Sequence, residues 1–357
     1  MLDIVVMKIK QNLFALLLVS VLLSACGSSD KSTQDQPNEN VAEDFKVIGY
    51  YYYVPSGPAA EDLDISGLTH INYSFALPAK EGNGLEPLRH PDNLQRMVEI
   101  AHQKGKEVFI SLGGWNIGDG SGDDSRFHRI AKTEEGRTEF NAAVMELVEK
   151  FELDGVDMDW EYPENDSSAD DFVALMKQLA EQLHAKQKEL SVAVVSYDGR
   201  LSSIGKIAEA EGIKKEIFNI VDWVNIMAYD DENGKVYPNN AHSTYQLAEK
   251  CLNYWIDERG LPARKAVLGL PLYAKPGYIS YKALLDQGAS PAEDAFKEVF
   301  YNGTETMKAK TKLALERGCA GVMMWEISQD VKGEHSLIRA MNQAIEQFKK
   351  TETQPAR

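Results

Sequence analysis

Eight short apolar runs, most of them followed by an amphipathic stretch, constrain this chain more than any other feature. The runs cover residues 46–53, 69–75, 107–112, 155–161, 190–196, 221–229, 266–273 and 321–327. Helical patterns fall at 92–104, 134–151, 169–188, 243–258 and 304–317, and a last one at 336–349. Near-continuous apolar strands alternating with helices mean a parallel sheet covered by helices. Eight such units in about 310 residues fit one α/β domain, a (β/α)8 TIM barrel over residues 45–350, better than an open doubly wound sheet. No glycine-rich phosphate fingerprint follows the first run, where Gly49-Tyr50-Tyr51-Tyr52-Tyr53 stands instead. The first and fifth helices of the scheme, near 61–67 and 201–218, carry weaker patterns and read as loops with short turns.

The fourth run contains Gly155-Val156-Asp157-Met158-Asp159-Trp160-Glu161. Strand alternation puts Val156, Met158 and Trp160 on one face and the three acids on the other, at steps of roughly 6.6 Å. Confining three like charges inside a barrel is costly unless some stay protonated or hydrogen-bonded. Such a row suits a general acid with a tuned pKa beside a partner carboxylate. A solvated acidic edge is the first alternative, and the buried look of Val156, Met158 and Trp160 opposes it. A metal site is the second, opposed by the lack of a nearby histidine and by carboxylates in line rather than convergent. Asp154 has the opposite parity and reads as a strand-start or loop residue.

Residues 1–25 read as a secretory signal. Lys8 and Lys10 precede an apolar run over 13–23, which meets Leu23-Ser24-Ala25-Cys26. Small residues ending in cysteine resemble the bacterial lipobox, which implies a lipidated Cys26; the alternative is an ordinary signal with a chance cysteine. Residues 26–44 read as a flexible polar tether and 351–357 as a disordered tail. The expectation is an exported protein held to a bacterial membrane by lipid on Cys26, at the outer membrane or cell surface in a Gram-negative host. The formal charge of −17 argues against nucleic acid as a partner, because no basic patch exists to release phosphate counterions. A monomer is expected. Cys251 and Cys319 read as two buried thiols, although an exported protein could carry a disulfide.

A barrel places its chemistry at the C-terminal ends of its strands. The residues there are Tyr50 and its neighbours, Phe75, Ser111 to Trp115, the acid row, Ser196-Tyr197-Asp198, Met227-Ala228-Tyr229-Asp230, Tyr273 and Trp325-Glu326. Sugars bind to such mixtures, packing rings on aromatic faces and hydroxyls on acids. Tyr50 to Tyr53 alternate inward and outward, so two can face a pocket and two must pack under helices. Ser111, Gly113 and Gly114 read as structural, for close packing and a tight strand end.

Four of these segments, in order, resemble glycoside hydrolase family 18, the family of chitinases and endo-β-N-acetylglucosaminidases. They are Ile110-Ser111-Leu112-Gly113-Gly114-Trp115, the acid strand from Asp154 to Pro163, Met227-Ala228-Tyr229-Asp230 and Met323-Met324-Trp325-Glu326. The resemblance implies Glu161 as the general acid, later the base that activates water. It implies no protein nucleophile: the substrate's acetamido oxygen attacks the anomeric carbon. Asp159 would orient the acetamido group, Asp157 would share a proton with Asp159, and Tyr229 would hydrogen-bond the acetamido oxygen. Trp325 would floor the subsite of the distorted sugar, lined by Tyr50, Phe75, Tyr162, Met227 and Asp230, with Trp115 stacking on the sugar across the scissile bond. No cofactor or metal is implied.

The resemblance implies hydrolysis of β-1,4-linked N-acetylglucosamine polymers or oligosaccharides. The alternatives are an endo-β-N-acetylglucosaminidase acting on glycoprotein glycans and a sugar-binding surface lipoprotein without activity. Many chitinases of the family carry an α+β insertion after the seventh strand. Here only about 45 residues separate Tyr273 from Gly321, too few for that domain beside the helical pattern at 304–317, so a shallower groove and endo-type cleavage are expected.

Overall fold

The computed structural model describes residues 44–115, 124–164, 167–197, 200–202, 205–207, 209–231 and 241–352. The expected signal, Cys26, most of the tether and Asp198 lie outside the described residues. Among the described residues no helix is long and apolar enough to cross a membrane.

Eight strands form the barrel: β1 (Lys46–Tyr52), β2 (His70–Ala76), β3 (Glu107–Gly113), β4 (Gly155–Asp159), β5 (Glu189–Val194), β6 (Trp223–Ile226), β7 (Ala266–Pro271) and β8 (Gly321–Trp325). All neighbours pair in parallel, and the ring closes where Lys46 of β1 meets Gly321 of β8. Each strand falls on its predicted apolar run, but several stop sooner. β6 spans four residues where the apolar run spans nine, because Val221 and Asp222 lead into it and Met227–Tyr229 continue past it toward the mouth.

The larger helices are α1 (Pro91–Gln103), α3 (Glu134–Lys150), α4 (Ser167–His184), α6 (Tyr245–Leu252), α8 (Thr304–Glu316) and α9 (Leu337–Glu352); α2 (Ser125–Ala131), α5 (Ile217–Ile220) and α7 (Tyr281–Asp286) are short. α6 continues as a π-helical turn, Asn253–Glu258, which completes the expected single pattern. α9 runs two residues into the segment read as tail. The weak first segment is a 3₁₀ turn at Ala60–Asp62, and the weak fifth contains a small ribbon, a 3₁₀ turn and α5. Between β7 and β8 the chain makes two ribbons of two-residue strands and α7, and then α8.

Alternation divides the core in two. A small cluster of Ile48, Tyr50, Phe109, Trp223, Tyr229, Val267 and Met323 fills the barrel, while a large one fills the space between strands and helices. The N-terminal end of the interior is closed by Lys46, His70, Glu107 and Glu189, the inward residues that open β1, β2, β3 and β5. His70 lies 3.0 Å from Glu107, and its ring packs on Phe109 and Trp223. Cys251 and Cys319 are both buried thiols.

Candidate active site

Asp157 lies one layer above the aromatic plug and is fully buried. Its Oδ2 accepts from the Tyr50 hydroxyl at 2.7 Å and from Ser111 Oγ at 2.8 Å. Its Oδ1 accepts from Ser191 Oγ at 2.6 Å and Asn225 Nδ2 at 3.0 Å. These donors come from β1, β3, β5 and β6. Ser111 and Ser191 flank Asp157 directly in the ladder. Burial raises the Asp157 carboxyl above its ordinary range, and the four hydrogen bonds pull it back. Ser111 is therefore a polar partner of the acid row, a role that reading it as a packing residue missed. Ser191 and Asn225 were missed as well. Their signal was a hydroxyl and an amide on inward positions where strand patterning calls for apolar side chains.

Asp159 is buried one step nearer the mouth, and Glu161, half-buried, follows the strand. The Asp159 side chain hydrogen-bonds Glu161. Burial first, then the charges of Glu161 and Asp157, push the Asp159 carboxyl well above its usual range. A protonated Asp159 can donate to Glu161, so the row need not hold three full charges. Tyr229 is buried facing the same acids; burial and the charge of Asp159 hold its phenol protonated far into the alkaline range.

The aromatic floor forms as one cluster. Trp325 stacks on Phe75 with ring centroids 5.7 Å apart and planes at 23°, and also meets Tyr50 at 5.7 Å and Tyr52 at 6.3 Å. Tyr51 and Tyr53 pack outward under the helices, as the alternation requires. Gly114 has φ +86°, and a Cβ there would meet the Phe75 ring at 2.7 Å, so only glycine lets Phe75 reach the floor. Trp115 stands 52% exposed at the rim. Met227 packs against the interior cluster, whereas Tyr162 packs against the outer one.

Asp230, at φ +61°, is gripped from three sides. Tyr273 donates its hydroxyl to Oδ1, Lys275 Nζ lies 2.9 Å away and His242 Nδ1 3.3 Å away. Burial raises its carboxyl, but His242, Lys275 and Tyr273 outweigh burial and leave it below the ordinary carboxylate range. His242 and Lys275 lie on connecting segments, and sequence spacing gave no sign of them. Asp154, off the row, ties His102 and the Val108 amide at the other end of β4. Among the described residues, ligand atoms of His70, Glu107 and Glu189 lie within 4.8 Å of one another and could surround a cation. That group sits at the barrel's far end, with the Lys46 ammonium already 3.4 Å from His70.

This geometry joins a partly exposed carboxyl, a buried neighbouring carboxyl with raised proton affinity and a phenol over an aromatic floor, which suits proton transfer on a bound sugar. The sequence model of the glycosyl hydrolases family 18 matches residues 46–330. The chain is similar to "Probable chitinase 10" of Drosophila melanogaster, 28% identical over 81% of this chain but 13% of that protein. It is also similar to "Endochitinase 1" of Metarhizium robertsii, 26% identical over 66% of this chain and 64% of the relative. The chain thus spans less than two thirds of the length of either relative. A crystal structure of a GH18 chitinase from the chitin utilization locus of Flavobacterium johnsoniae shares the fold, with TM-score 0.70, 23% identity and coverage of 85% of this chain and 95% of that one. The eight-stranded barrel, the acid row on β4 and the family match over nearly the whole of it place this chain in glycosyl hydrolase family 18.

Proposed function

We propose that this protein hydrolyses β-1,4-linked N-acetylglucosamine chains, cutting within them, by substrate-assisted catalysis. The observation that carries the reading is Asp159, buried and hydrogen-bonded to Glu161, its carboxyl pushed up by burial and by the neighbouring charges, with Tyr229 facing the same acids. Glu161 takes up the proton it shares with Asp159 and gives it to the glycosidic oxygen as the bond to the anomeric carbon breaks. The acetamido oxygen of the same sugar forms the new bond to that carbon, giving an oxazolinium ion, and the leaving sugar departs with the proton. Asp159 and Tyr229 orient the acetamido group for that attack. A water then yields its proton to Glu161 and adds to the anomeric carbon, restoring the acetamido group with retention. The β7–β8 connection carries two small ribbons, α7 and α8, with no room for an added domain, which supports cleavage within chains. Cys26 is the proposed lipid anchor of an exported enzyme.

The test is a hydrolysis screen of chitin-oligosaccharides against a high-mannose glycoprotein, with the Glu161→Gln variant alongside. The parent should release oligosaccharides of mixed length from the first, leave the glycoprotein intact and remain active in EDTA. Glu161→Gln should lose hydrolysis by at least about a thousandfold while still binding oligosaccharide. Equal turnover by the variant would discard the mechanism, and release of glycans from the glycoprotein would make the protein an endo-β-N-acetylglucosaminidase.

A further inference from the structure

Strand order sorts the barrel mouth into two halves. Along the arc β3–β2–β1–β8–β7, every strand end or following turn presents an aromatic ring: Trp115, Phe75, Tyr52, Trp325 and Tyr278. The other arc, β4–β5–β6, carries the acid row and Asp230, and its rings are withdrawn: Tyr197 and Tyr229 are buried and Tyr162 packs against the outer core. Tyr278 closes the aromatic arc.

A lone exposed tyrosine needs no explanation, but this one is mounted. Its ring lies nearly parallel to that of Tyr273, centroids 5.6 Å apart and planes at 19°. Lys275 Nζ stands 4.1 Å from the Tyr278 centroid. Tyr273 and Lys275 are buried and both hold Asp230 Oδ1, so they back the ring from the protein side. Tyr278 nevertheless stays 63% exposed, the most exposed large hydrophobic side chain among the described residues. A ring braced on one side and open on the other is a stacking platform.

β3 and β7 stand four places apart in a ring of eight, directly opposite each other. Strands about 4.8 Å apart and tilted about 36° close into a ring roughly 15 Å across, room for several pyranose rings in a row between Trp115 and Tyr278. The family resemblance sets Trp115 on the sugar across the scissile bond, which is the leaving-group side. Accepting the function proposed above, we infer that Tyr278 binds the far end of the chain, stacking on a 2-acetamido sugar toward the non-reducing end from the cleaved bond.

Aryl glycosides of N-acetylglucosamine oligomers test this, because lengthening them adds sugars on that side alone. Tyr278→Ala should raise KM by roughly five- to tenfold for the trisaccharide and tetrasaccharide glycosides. KM for the disaccharide glycoside and kcat for all of them should change less than about twofold. Tyr278→Phe and Tyr278→Trp should restore the parent KM, which separates stacking from loss of fold. Unchanged KM at every length, an equal loss at every length, or a loss confined to oligosaccharides extended on the leaving-group side would overturn the assignment. No turnover of any of these glycosides by the parent would overturn the proposed function, and this inference with it.

Discussion

Removing the Ser191 hydroxyl tests how Asp157 is held. Ser191→Ala keeps the strand and deletes the shortest of the four hydrogen bonds to that carboxylate, leaving Oδ1 with Asn225 at 3.0 Å. Both residues are fully buried, so bulk water is not at hand to replace the lost donor. A hydrogen bond to a charged group contributes about 1.5–3 kcal/mol and a neutral one about 0.5–1.5 kcal/mol. The variant should therefore lose about 2 kcal/mol where Asp157 is ionised and about 1 kcal/mol where it is protonated. The folded pKa of Asp157 lies above its unfolded value, so its linked stability is fully present below the unfolded pKa and is lost as pH rises through the folded one. Ser191→Ala pushes that folded pKa higher and deepens the loss. The gap between parent and variant, read from urea unfolding with an unchanged slope, should widen between a pH at the unfolded pKa, about 4, and a pH above the folded one. A gap of equal size at both pH values, or one that narrows, would refute the reasoning.

Two further outcomes are expected. Lys310 is fully buried on α8, donating to the Ser243 carbonyl and hydroxyl and to Asn302 Oδ1, and burial lowers its pKa from 10.5 to about 7. The unfolded chain then binds more protons between those values, so stability should climb across that window; a shift of this size corresponds to on the order of 4–5 kcal/mol at most. Lys310→Met should flatten the climb in urea titrations, and an identical climb would assign it to other groups. Cys26→Ser should abolish incorporation of radiolabelled palmitate in an expressing bacterium and move the protein out of the membrane fraction; labelling that persists would remove the proposed anchor.

The barrel was legible because its strands are apolar on both faces and its helices on one. Strand lengths were less so, because apolar character continues past the ladder where Met227 and Tyr229 turn into the mouth. The acid row could be read from period two alone, since no other pattern aligns Asp157, Asp159 and Glu161. Its supports could not. Ser191 and Asn225 break the apolar pattern at inward positions, but nothing within β5 or β6 names the acid they serve. Lys275 and His242 reach Asp230 from different connections, a meeting that only the closed ring brings about. Lys310 looks like any lysine on an amphipathic helix until α8 turns that position inward against Asn302.

The ring of Lys46, His70, Glu107 and Glu189, with Phe109 and Trp223 above it, makes the barrel a well stoppered at its base. The acids exchange protons with bulk solvent through the mouth. Whatever lies across that mouth also caps the well, so the occupant that brings a bond to Glu161 removes the solvent in reach of its half-buried carboxyl and strengthens its coupling to the buried Asp159 and Asp157. Proton affinity in the row is thus set jointly by the protein and its guest, and a titration of the empty enzyme describes a different set of acids from the one at work.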